Sequence, residues 1–107
     1  MRVLFDHGTP RGLARFLTEH NVEEAKARGW DTLTNGSLLD ELEQAGFEVL
    51  VTTDKNLRFQ QNLQGRAFAI VALGTAQWPV LREHAELVRL AVNEAKPGSF
   101  TEVAIPA

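Results

Sequence analysis

The 107-residue chain contains no cysteine, which excludes disulfides, thiolate metal sites and cysteine nucleophiles. It also lacks a basic excess. Lys and Arg number 11 against 14 Asp and Glu, for a net charge of −3 and a pI near 5.6. Phosphate contacts need Lys and Arg, so any nucleic-acid contact must rest on a local patch or on a partner. No apolar run approaches membrane-spanning length, and the first strand would start almost at Met1, leaving no room for a signal peptide. A cytoplasmic location is the expectation. Gly8 and Gly12 form neither nucleotide-binding glycine pattern, and no Ser-His-Asp arrangement is readable. Internal repeats, linkers and low-complexity segments are absent from the sequence as well.

What is present is ordinary for a folded domain. The apolar fraction is 44% and the charged fraction 23%, values that argue against disorder. The length suits a single domain over residues 1–107 with a core of modest margin.

Apolar runs that end at acids organise the chain. Arg2 to Phe5 reads as a buried parallel strand that stops at Asp6-His7-Gly8. Thr9 and Pro10 suit the cap and first position of a helix whose inner face carries Leu13, Phe16 and Leu17. A short strand is expected near Asn21 to Ala25, although its charges would also suit a helix; Gly29 and Trp30 mark a break. Ser37 can cap a helix that ends at Gly46, with Ser37-x-x-Asp40 resembling a capping box and Leu38, Leu39, Leu42 and Ala45 inward. Val49 to Thr52 is a second clear buried strand, followed by Asp54. A short helix is expected between Leu57 and Leu63, and a very apolar strand from Phe68 to Leu73. Pro79 starts a long helix that Pro97-Gly98 ends, and Thr101 to Ile105 forms a last strand at an edge. This alternation predicts a three-layer α/β fold around a mostly parallel five-stranded sheet of Rossmann-like topology.

Ligands of open α/β sheets bind beyond the carboxyl ends of strands, where strand order reverses. Asp6 and Asp54 each fall just past such an end. Two carboxylates in one crevice repel each other. A hard divalent cation such as Mg²⁺ or Mn²⁺ removes that repulsion and can activate water against a phosphodiester. The plain alternative is that each Asp caps a turn. Asp40, in the first turn of its helix, is the candidate third acid, although a capping role alone explains it. Asp31 lies in an irregular stretch and carries less weight. Beyond Asp54, Lys55, Asn56 and Arg58, joined by Arg11 beside Asp6, form a candidate nucleic-acid-binding rim; Phe59 could stack on a base but reads better as core. His7 could assist as a ligand or proton carrier, or serve only as a turn residue. Trp30 and Trp78 read as lids over the core.

With Leu4-Phe5-Asp6-His7-Gly8-Thr9-Pro10 at the start and Leu50-Val51-Thr52-Thr53-Asp54-Lys55-Asn56-Leu57 in the middle, the chain resembles the small PIN-like proteins. These are relatives of PIN-domain toxins with openings of the L-L-D-E-N-L-P type and a V-T-x-D-x-D-F third strand end. The resemblance extends through Leu73. It implies a Mg²⁺ or Mn²⁺ site of clustered acids and RNA cleavage, often within a toxin–antitoxin pair. Asp6 and Asp54 match the family's acids after the first and third strands. His7 stands where Glu is common, Asn56 stands where another acid is expected, and the helix-start acid would fall near Asn35, Gly36 or Ser37.

Three readings follow from these residues. The first is a Mg²⁺/Mn²⁺-dependent ribonuclease acting on RNA, with an antitoxin protein or a second copy of the chain (a homodimer) as candidate partners. The second is a catalytically degenerate PIN-like module that binds RNA or a protein. The third is a phosphoacceptor receiver-like domain, disfavoured because Asp6 precedes His7 rather than an acid and no Lys follows the last strand.

Overall fold

Strand formation follows the apolar runs, and the central strands are covered on both faces, as a parallel sheet requires. The computed structural model describes residues 1–57 and 62–106. Its strands are β1 (Arg2–Phe5), β2 (Asn21–Glu24), β3 (Val49–Thr52), β4 (Ala69–Leu73) and β5 (Phe100–Val103). They form one sheet in the order β2-β1-β3-β4-β5, every pairing parallel. β3 and β4 are buried throughout, whereas β2 at one edge is polar and only partly covered. The register Arg2↔Asn21 to Phe5↔Glu24 fixes Asn21–Glu24 as strand rather than helix.

The helical segments cover the sheet on both faces. Helix α1 spans Asn35–Gln44, α2 Trp78–Glu83 and α3 Ala85–Glu94, with 3-10 turns at Arg11–Phe16 and Ala25–Arg28. Because side chains alternate along a strand, Val3 and Phe5 face one layer and Leu4 the other. Val3, Phe5, Val49, Val51 and Val71 pack with Leu13, Leu17, Leu81, Val88 and Val92. On the opposite face Leu4, Leu50 and Ile70 pack with Leu38, Leu39, Leu42, Phe47 and Phe68. Each fully buried Leu or Phe contributes about 1.5–3 kcal/mol relative to exposure. Among the described residues no helix is long and apolar enough to cross a membrane.

Several local expectations change. Thr9 does not cap a helix; its hydroxyl bonds Asp6 and the Val51 carbonyl, and a 3-10 turn begins after an extended Pro10. Phe16 lies outside the core, 37% exposed and tilted against Trp78 at 6.4 Å. Thr34, not Ser37, caps α1: its Oγ1 accepts from the Ser37 backbone N–H, so the helix starts three residues earlier. The expected long helix breaks at His84, whose φ of −118° and ψ of 21° part α2 from α3. The stretch expected as a short helix between Leu57 and Leu63 lies partly outside the described residues, although Leu57 and Leu63 themselves are core.

Connection geometry explains the split helix layer. The β1–β2 and β4–β5 connections run over the same face although they step in opposite directions along the sheet. They therefore have opposite hands, an exception to the strong rule for parallel crossovers. The short 3-10 turn after β1 covers little of that face, and α2 and α3 fold back over it to bury Phe5, Val51 and Val71. Gly12 permits this closure, since a Cβ there would stand 2.7 Å from the Trp78 ring.

Candidate functional site

Chain order reverses between β1 and β3: the chain steps outward from β1 to β2, then returns across β1 to begin β3. Asp6 and Asp54 follow these two adjacent strands at their carboxyl ends. The Asp6 N–H donates to the Val51 carbonyl at 3.2 Å, extending the β1–β3 ladder by one residue. Both acids line one cavity of about 180 Å³, which also takes in Asp31, Asn35 and Thr53. The sheet thus brings together the two residues that the strand ends singled out.

Asp6 is held by two hydroxyls and a backbone amide. Oδ1 accepts from the Gly8 N–H at 3.2 Å and from Thr9 Oγ1 at 2.9 Å, and Oδ2 accepts from Thr52 Oγ1. Thr9 and Thr52 are the buried polar residues of the described chain, and both serve this one carboxylate. Thr9 shares its single hydroxyl hydrogen between Asp6 and the Val51 carbonyl, both at 2.9 Å. Thr52 also accepts the Asp54 N–H at 3.0 Å, so one hydroxyl joins the two acidic positions. Gly8 fits closely: a Cβ there would come within 2.8 Å of Thr53 Oγ1.

Asp54 is held more lightly. Oδ1 accepts the Asn56 backbone N–H at 3.0 Å, an Asx turn, and Oδ2 accepts Asn35 Nδ2 at 3.3 Å. A carboxylate offers about four acceptor positions. Three protein donors on Asp6 and these two on Asp54 leave capacity on both for a further ligand. Oxygen donors of this kind suit a hard cation that keeps several of its waters, and the hydroxyls and amides behind them are the sort of support that orients ligating carboxylates. The fit is to a sparsely liganded ion, since no group of three His, Cys, Asp or Glu side chains able to hold a metal occurs among the described residues.

The other expected site residues divide. Asp31 lines the cavity, whereas Asp40 does not; its exposed carboxylate pairs with Arg66 at 2.9 Å, because its turn of α1 faces the segment before β4. Arg66 also pairs with Glu43 at 2.8 Å. Glu43 is held below the usual carboxylate range chiefly by the Ala67 N–H and then by Arg66. His7 is exposed on the rim between the acidic cavity and a shallower depression of about 410 Å³ lined by Arg11, Glu24 and Lys26. Arg11 reaches Glu24 at 3.3 Å there. Lys55 and Asn56 are exposed just beyond Asp54, and Arg58 and Phe59 lie outside the described residues.

Sequence reasoning did not assign the contacts that hold the acids: Thr9 was taken for a helix cap, and the Thr52 hydroxyl was noted only as flanking Asp54. Thr52 signals itself as a hydroxyl at the end of an otherwise apolar strand, two residues before an acid. Trp30 was read as a lid, yet it lines the acidic cavity.

No family model, curated protein or solved structure matches this chain.

Proposed function

We propose that the chain is a metal-dependent ribonuclease of PIN-like type, with Mg²⁺ or Mn²⁺ held by Asp6 and Asp54. The observation that carries this reading is the meeting of two oxygen-rich strand ends at the topological switch point, in one cavity. Thr9, Thr52 and the Gly8 N–H fix Asp6; Asn35 and the Asn56 N–H orient Asp54. A bound hard cation supplies charge neutralisation of the phosphodiester and a more acidic water. His7, exposed on the rim, is placed to exchange a proton with solvent or substrate. Arg11 and Lys26 in the adjoining depression offer charge to flanking phosphates.

The test is Mn²⁺-dependent degradation of single-stranded RNA by the purified protein. Asp6→Asn and Asp54→Asn are each expected to abolish it while leaving the fold intact by circular dichroism. Cleavage that persists in both variants would remove the assignment. A toxin role predicts growth arrest on expression, relieved by the same substitutions.

A specific observation favours a second reading. Asn35 places a neutral amide against Asp54 at the start of α1, so the crevice gains a donor there rather than a third carboxylate. On that reading the protein binds RNA or a protein partner without cutting. Calorimetry showing no Mn²⁺ binding, together with retained RNA binding, would select it.

A further inference from the structure

The cavity that holds the acid pair has a lining of two chemically different kinds. Asp6, Asp31 and Asp54 line it together with the apolar side chains of Ala25, Trp30, Leu33 and Leu38. Trp30 packs against the core on the α1 side of the sheet and at the same time lines this cavity. Trp30 is also held in place: its ring meets Phe47 edge-on at 6.1 Å, with an interplanar angle of 78°. The Arg28 guanidinium lies over the ring, 5.1 Å from its centroid, and is itself fixed by Glu23 at 2.9 Å, which leaves only the other face for a base. An aromatic ring restrained in this way loses little freedom when a planar group settles on it.

We propose that Trp30 is the stacking platform for one nucleobase of a single-stranded RNA, seated beside the phosphodiester that Asp6 and Asp54 address. This rests on the nuclease reading of the acid pair and adds to it the residue that seats a base. Size supports one base only. Pockets for a drug-sized ligand run to about 300–1,000 Å³, and this cavity is about 180 Å³. The neighbouring nucleotide continues past His7 into the depression where Arg11 and Lys26 can meet its phosphate. A base inside a duplex is stacked and paired, so only an unpaired one can enter such a cavity.

The chain's two tryptophans make the test direct. Trp78 lies on the opposite face of the sheet against Gly12 and Phe16, so Trp78→Phe leaves Trp30 as the sole indole reporter. With EDTA present to prevent cleavage, a single-stranded RNA hexamer is expected to quench Trp30 emission saturably. An abasic hexamer with the same phosphates, and the duplex form, are expected not to. Trp30→Leu keeps an apolar contact to Phe47 but lacks the stacking face, and is expected to weaken hexamer binding by roughly 5- to 100-fold, read by anisotropy. A thermal melt of that variant confirms that it is folded. Equal quenching by the abasic or duplex RNA, or unchanged affinity in folded Trp30→Leu, overturns the proposal. Quenching by a mononucleotide as tight as by the hexamer overturns the strand in favour of a free nucleotide. Mn²⁺-dependent cleavage without quenching sinks the platform and spares the nuclease; quenching without cleavage does the reverse.

Discussion

Replacing Thr52 by Val separates the part this residue plays through its hydroxyl from the part it plays by filling space. Thr52 is fully buried, and its Oγ1 both donates to the Asp6 carboxylate and accepts the Asp54 N–H at 3.0 Å. Val has nearly the same shape and suits a strand, so packing is conserved while both bonds are lost. A hydrogen bond to a charged group is worth about 1.5–3 kcal/mol and a neutral one about 1 kcal/mol. The added methyl recovers at most about 0.8 kcal/mol. The net expectation is a loss of about 2–3 kcal/mol, a large share of the 5–15 kcal/mol typical of a domain. For a chain of this size that lowers Tm by roughly 8–15 °C. Thr52→Ser, which keeps the hydroxyl and loses a methyl, should cost only about 1 kcal/mol. Urea unfolding followed by tryptophan emission measures each variant. A cycle that pairs Thr52→Val with Asp6→Asn should show coupling of about 1 kcal/mol or more. If Thr52→Val proves as stable as Thr52→Ser, or the cycle shows no coupling, the hydroxyl does not hold the acid pair.

Gly12→Ala puts a Cβ 2.7 Å from the Trp78 ring and should destabilise by about 1–3 kcal/mol in chemical unfolding, with Trp78→Leu restoring part of the loss. Asp40→Ala should leave Mn²⁺ affinity and RNA cleavage unchanged, because its carboxylate is engaged by Arg66 outside the crevice; a loss of either would return Asp40 to the site. Glu43 is held below its ordinary value of 4.5 by the Ala67 N–H and Arg66, so it stabilises the fold fully above that value and less as pH falls through its folded one. Glu43→Gln should therefore flatten the acid limb of a Tm-against-pH profile below about pH 4.5, and an unchanged limb would show that other carboxylates set it.

Much of the fold was legible because its signals are local. Arg2 to Phe5, Val49 to Thr52 and Phe68 to Leu73 are largely apolar runs too short for helices, and the strands Arg2–Phe5, Val49–Thr52 and Ala69–Leu73 of the parallel sheet form within them. β2 was ambiguous because an edge strand carries charges that a helix would also tolerate; only pairing with β1 decided it. The caps of α1 misled because Thr34 and Ser37 are both good caps three residues apart, and backbone geometry chose between them. Thr9 looked like a cap for the same reason, but the nearby carboxylate and carbonyl took its hydroxyl.

The sequence by itself determined that two carboxylates follow two buried strands, since a strand's end is marked by the residues beside it. Their convergence depended on which strands became neighbours, and that is a property of the whole sheet: β1 and β3 adjoin only because the chain leaves to β2 and comes back. The same long-range packing gave Asp40 to Arg66 and brought Trp30 into the lining of the cavity that holds Asp6 and Asp54. No local pattern encodes those meetings, because they join residues whose separation along the chain says nothing of their distance in space.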